Sequence, residues 1–231
     1  LQPIDQWMLA RTDRLVKTVR EAYDQYSFHV VSHEVVNFCT LELSKLYIDI
    51  TKDRVYVEKS DSAARRSAQT AMYTVLSALT RVLAPILAFT ANEIWQAMPH
   101  ASGENAAHVL LNDMPAVVET PAFAEVEGKY EQLFTLRDDV MKALEIARAD
   151  KKIGKSLEAK LTIFADKEKA ALLRSFGDEL TTVFIVSGVT VSEEEAPAAA
   201  FAESGYDRGE VWVKRGIYSW GKGATDKNIA V

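Results

Sequence analysis

Four long runs of apolar residues spaced three and four apart fill the first two-thirds of this sequence, and few folds accept them. In PIDQWMLARTDRLVKTVREAYDQY, residues Trp7, Met8, Leu15, Val19, Tyr23 and Tyr26 share a face, with Arg11, Arg14, Lys17 and Arg20 mostly on others. Pro3 suits a first helical turn and Asp5 is the cap candidate. After a break at 27–29, a second stripe (Val31, Val35, Phe38, Leu46, Ile50) predicts a helix to about Ile50, followed by a charged turn, TKDR, and an exposed piece, VYVEKS. A third helix, with Asp61 as its cap candidate, carries Ala68, Met72, Val75, Leu79 and Val82 to about Leu83, where Pro85 kinks or ends it. Thr90 and Glu93 have capping-box spacing and predict a short helix closed by Pro99. A loop follows to Pro121, in which HVLL reads as a brief extended piece. The last stripe (Tyr130, Leu133, Phe134, Arg137, Val140, Met141, Leu144, Ala147) predicts a helix over about 126–151. The expectation is a mostly α chain whose residues 1–153 form an antiparallel helical bundle.

After Gly154 the period shortens. LTIFA (161–165) and VTVS (189–192) alternate, TTVFIV (181–186) is β-branched, and EVWVKR (210–215) adds a further strand. KEKAALLRSF between the first two reads as a helix with Gly177 just past its end. Residues 154–216 are therefore expected to form a small α+β unit, EEEAPAAA within it a linker or loop, and 217–231 an irregular tail.

At 231 residues and 48% hydrophobic, the chain has enough apolar material for a core in one or two domains. Its net charge of −6 excludes nucleic-acid binding by bulk charge, so RNA affinity has to come from local patches. Two patches qualify. Lys52, Arg54, Arg65 and Arg66 gather where one helix ends and the next begins, an arrangement suited to phosphate. The competing reading is a solvated surface with Asp49, Asp53 and Asp61 as partners. Arg65 and Arg66 project about 100° apart, so one is expected to face RNA and the other to brace the helix end beside Asp49 and Asp53. The second patch is Arg148, Lys151, Lys152 and Lys155, in a stretch (142–160) of net charge +3. Cations at a helix C-terminus also suit the helix dipole without any ligand.

Base reading calls for exposed aromatic or amide groups, and Phe28, His29, Tyr56 and Trp95 are the candidates, each weighed against an ordinary core role. His29 and His33 share a helical face, but Ser32 stands where a zinc-protease helix needs Glu, so no metal site is assigned. The single cysteine, Cys39, excludes an internal disulfide and a multi-cysteine zinc site, and reads as a small buried hydrophobe. No apolar run approaches the roughly 20 residues of a membrane span. Phosphate-loop, nucleophile-elbow and dinucleotide motifs are missing from the sequence, so no catalytic residue is assigned.

LYIDITKDRVY (46–56) followed by DSAARRSAQTAMY (61–73) resembles the helical anticodon-binding domain of the isoleucyl-tRNA synthetase family. ARADKKIGKSLEA (147–159) resembles the same family more specifically, since the first motif is shared loosely with the valyl and leucyl enzymes. The resemblance covers roughly residues 5–191. It implies the tRNA-binding part of an ATP-dependent isoleucine–tRNA ligase, with tRNA(Ile) and the parent's own catalytic domain as partners and a cytoplasmic location. The family's ATP and Mg sites belong to a catalytic domain with HIGH and KMSKS signatures, neither of which occurs here. Bacterial members commonly end in a cysteine-rich zinc module, whereas GIYSWGKGATDKNIAV (216–231) has no cysteine. The abrupt start at Leu1 suits an excised C-terminal fragment. Two alternatives stay open: a valyl or leucyl anticodon domain, which the IG-x-SLEA piece disfavours, and a helical adaptor that binds protein through apolar grooves.

Overall fold

Helix α1 (Pro3–Asp24) starts with Pro3 in its first turn and buries Ile4, Trp7, Met8, Leu15, Val16 and Val19 along one stripe. The computed structural model describes residues 1–118, 121–194, 201–202 and 209–215. Helix α2 (Phe28–Asn37) passes without a break into a π-helical segment, Phe38–Ile48, and then into α3 (Asp49–Val57). Helix α4 is Ala63–Leu83 and α5 is Ala88–Ala97. The expectation of a mostly α chain therefore holds, and several element boundaries move.

The π-helical segment explains one shift. Its i→i+5 bonds widen each turn, so a stripe set by Val31, Val35 and Phe38 returns inward at Tyr47 and Ile50. Leu46, predicted on that stripe, is only half-buried. TKDR is helical, not a turn: nothing in it breaks a helix, and buried Thr51 donates its hydroxyl to the Tyr47 carbonyl at 2.6 Å. The cap of α4 is Ser62, whose Oγ accepts from the Arg65 N–H, rather than Asp61.

Thr90 caps nothing. Helix α5 begins two residues earlier, with the Ala91 N–H already bonded to the Leu87 carbonyl at 2.8 Å. HVLL is a 3-10 turn (Val109–Leu111) rather than an extended piece, held by the His108 ring accepting from the Leu110 N–H. Trp95 with Ala84, Ala91, Met98 and Val109 makes a small apolar cluster against Tyr73.

Two compact units emerge, Leu1–Gly128 and Lys129–Val231. Helix α6 (Pro121–Ala149) crosses that division. Within the second unit, Tyr130 stacks edge-on against Phe176 at 5.4 Å and donates to Glu179 at 2.6 Å, while buried Arg137 donates to the Val183 carbonyl at 2.9 Å. These contacts tie α6 to α7 (Lys167–Ser175) and α8 (Glu179–Phe184).

The sheet has the order β2-β1-β4-β3, from β1 (Ala159–Ala165), β2 (Gly188–Ser192), β3 (Phe201–Ala202) and β4 (Gly209–Arg215). β1 and β2 are parallel, with Leu161 opposite Val189, and β4 runs antiparallel to β1 and β3. Along β1 the side chains of Ala159, Leu161, Ile163 and Ala165 are buried and those between are not, as the alternation predicts. TTVFIV is not a strand. Leu180, Val183 and Phe184 are buried at helical spacing, and that packing overrides the β-branched preference. The expected tail, 217–231, lies outside the described residues, as does most of EEEAPAAA.

Candidate nucleic-acid interface

The first cationic set is organised by an acid. Asp5 is completely buried in the first turn of α1, at a position the sequence offers as a helix cap. The Tyr47 hydroxyl donates to its Oδ1 at 2.7 Å and the Ser67 hydroxyl to its Oδ2. Ser67 in turn accepts from the Gln2 N–H at 2.7 Å. Arg54 completes the cluster, its Nη1 lying 3.3 Å from Oδ2. One carboxylate thus joins α1, the π-helical segment, α3 and α4. Burial, then the charge of Asp5, pushes the Tyr47 hydroxyl far above the usual phenol range, so it stays a donor.

This arrangement divides the predicted cations by role. Arg54 has only 15% of its side chain exposed and faces inward to Asp5, with its Nε buried and unbonded. Half-buried Arg65 donates Nη1 to the Glu58 carbonyl at 2.9 Å, bracing the end of α3 at Glu58 rather than at Asp49 or Asp53. Arg66 is exposed and makes no ion pair among the described residues. Lys52 is half-exposed and pairs with Asp49 at 2.7 Å, a contact of little energetic weight. Tyr56 stands 83% exposed on the last turn of α3.

The second set lies in the other unit, where α6 ends. Arg148 pairs with Glu145 and donates to Ser156 Oγ at 3.1 Å. Lys151 has φ +58 and closes the helix, its N–H bonded to the Arg148 carbonyl and the Lys152 N–H to the Ala147 carbonyl, both at 2.9 Å. Lys151, Lys152 and Lys155 are exposed, and among the described residues Lys152 alone of the three makes an ion pair, with Asp150 at 3.2 Å. The Gly154 N–H donates to Glu158 Oε2 at 2.9 Å, and a Cβ there would meet that carboxylate at 3.3 Å. Residues 151–159, KKIGKSLEA, therefore form a closed turn that presents three lysines before β1.

Of the base-reading candidates, Phe28, His29 and Tyr56 are exposed. Trp95 is not: it is fully buried and its Nε1 donates to the Asn105 carbonyl at 2.9 Å. His33 bonds to Asn37, and no cluster of three or more metal-ligating side chains occurs among the described residues.

The contacts of Tyr47 and Ser67 with Asp5 escape sequence reasoning because they span 42 and 62 residues. So does the bidentate pair of Arg11 with Glu42, which also engages Glu127. The widened π turn places Glu42 for it.

Comparison with known families decides between the readings left open. A family model described as the anticodon-binding domain of tRNA ligase matches residues 5–163. The chain belongs to that family. Its relatives include the isoleucine–tRNA ligase of Bacillus subtilis (strain 168), 47% identical over 205 residues, covering 87% of this chain and 22% of that protein. That of Halalkalibacterium halodurans is 43% identical over 217 residues, covering 94% and 23%, and that of Caldanaerobacter subterraneus subsp. tengcongensis is 44% identical over 209, covering 90% and 22%. This anticodon-binding chain thus spans between a fifth and a quarter of the length of these relatives. The match runs past α6 and through most of β1, so both cationic sets fall inside the family's region. No helix among the described residues is long and apolar enough to cross a membrane.

Proposed function

We propose that this domain grips the anticodon arm of tRNA(Ile) within an isoleucine–tRNA ligase, holding the acceptor end toward a catalytic domain outside this chain. The observation that carries the reading is the 47% identity to an isoleucine–tRNA ligase over 87% of the chain. ATP, Mg and the amino acid belong on this reading to that catalytic domain, and residues 1–153 act as the gripping part with 154–216 as its α+β extension.

Arg66, Lys151, Lys152 and Lys155 contact phosphate directly on this reading because they are exposed, and half-exposed Lys52 joins them because its pair with Asp49 lies at the surface. Arg65 and Arg148 each use part of a guanidinium internally and offer the rest. Arg54 acts at one remove, through Asp5, by fixing the helix ends that carry the others. Lysine contacts of this kind add affinity and register but no base identity.

In the parent ligase, Arg66→Ala is expected to weaken aminoacylation of tRNA(Ile) through a raised KM for tRNA. ATP-dependent isoleucine activation, measured by pyrophosphate exchange, should not change. An equal loss in both assays contradicts the division of labour.

A further inference from the structure

We infer that Tyr26 and Phe28 form a stacking platform for one unpaired nucleobase, a contact separate from both cationic sets. The inference rests on the reading that this domain grips RNA, and it adds a ligand class and a place for it.

Helix α1 ends in a paired closure. The Ser27 N–H donates to the Ala22 carbonyl at 2.8 Å and the Tyr26 N–H to the Tyr23 carbonyl at 3.0 Å. This closure requires a left-handed residue between them, and Tyr26 supplies it at φ +55. A residue with a Cβ is strained there, which is why glycine is the usual choice. The chain uses glycine at the corresponding place after α7, Gly177 at φ +53. The left-handed residue after α8, Ile185, is half-buried, so packing accounts for its side chain. Tyr26 has no such account: it is 80% exposed.

The ring is nonetheless held. Tyr26 meets Phe28 edge-to-face at 6.3 Å and 78°, and Phe28 meets Tyr23 at 6.0 Å and 66°. Tyr23 is fastened to α4 through its hydroxyl, which donates to the Val82 carbonyl at 2.7 Å. A fixed ring therefore backs Phe28, the turn fixes the backbone of Tyr26, and the two rings, at 78°, form a corner in which a base stacks on one ring and meets the other edge-on, both keeping solvent-facing area. Flat, preorganised π-surfaces of this sort suit base stacking, which tolerates any sequence and loses little entropy. The family description supplies the occupant, since an anticodon consists of unpaired bases. His29, exposed at the next position, adds ring nitrogens for a base edge. The rival occupant is a protein surface seated on the exposed rings of Tyr26 and Phe28.

The experiment uses the full 231-residue chain, a tRNA(Ile) transcript, and the same transcript made abasic at single anticodon-loop positions. Tyr26→Gly removes the ring and relieves the backbone, so its thermal midpoint should be unchanged or higher. Its affinity for intact tRNA should fall about tenfold, with the salt dependence of binding unaltered because no charge is lost. One abasic transcript should bind the unsubstituted chain and Tyr26→Gly equally. Phe28→Leu, which keeps the apolar volume, should show the same pattern. Unchanged tRNA affinity in both variants overturns the platform, as does a loss that no abasic position abolishes, the result expected of protein docking or of misplaced helices. If the unsubstituted chain itself binds tRNA without salt dependence, the functional reading fails first and the platform falls with it.

Discussion

The Tyr47 hydroxyl lies 2.7 Å from Oδ1 of Asp5, and neither residue has any exposed surface. A buried carboxylate is tolerable only when donors surround it, and here they come from three separate elements. Removing one donor should therefore cost more than an ordinary hydrogen bond. Tyr47→Phe is expected to lower unfolding stability by about 1–3 kcal/mol, and Asp5→Ala, which strands Arg54, by about 3–5 kcal/mol. Urea denaturation measures both, and a loss below about 0.5 kcal/mol in each would show that the cluster is not the clasp described.

Arg54 and Arg66 look alike in the sequence and should behave differently. Arg66→Ala should leave stability within about 0.5 kcal/mol, as an exposed substitution does, and reduce the salt slope of tRNA binding by about one. Arg54→Ala should destabilise the fold first, with any binding loss tracking the fraction unfolded. Denaturation and binding measured on the same preparations separate the two roles.

Much of this was legible in the sequence. The α1, α4 and α6 stripes, Pro85 as a helix stop, Gly177 beyond α7, and the alternation of β1 all declare themselves by local spacing. Three kinds of feature do not. The π-helical segment leaves no compositional mark, so the stripe through Leu46 is drawn one position off. The short helix over TTVFIV is set by what Leu180, Val183 and Phe184 pack against, not by their own preferences. The inward turn of Arg54 depends on an acid 49 residues away, and nothing near either residue signals the pair.

Lys151 holds a left-handed backbone that glycine would adopt without strain, yet its side chain is exposed and cationic. Lys151→Gly should leave the protein as stable or up to about 1 kcal/mol more stable, while tRNA affinity and its salt slope both fall. Calorimetry and a salt series test the two halves. A variant with unchanged binding removes Lys151 from the proposed interface.

Glu104 links the loop after α5 to α4. Burial raises its pKa, but the Ala101 N–H at 2.8 Å, the Tyr73 hydroxyl at 2.8 Å and the Arg81 charge more than offset that, and the net shift is downward. A depressed carboxylate stabilises the fold above its unfolded value, about 4.3, and that contribution disappears as pH falls through the lower folded value. Glu104→Gln should therefore destabilise the chain at pH 7 and match the unsubstituted chain once pH is well below 4. Thermal midpoints across that range give the comparison, and a gap that persists at low pH contradicts the assignment.

The salt dependence of tRNA binding by this net-negative chain tests the grip of its cations most directly. With tRNA(Ile) held at low concentration and salt raised stepwise, log affinity should fall linearly with log salt, with a slope of magnitude about 3–5 set by the exposed cations at the two helix ends. A flat line would mean that these cations do not grip the RNA.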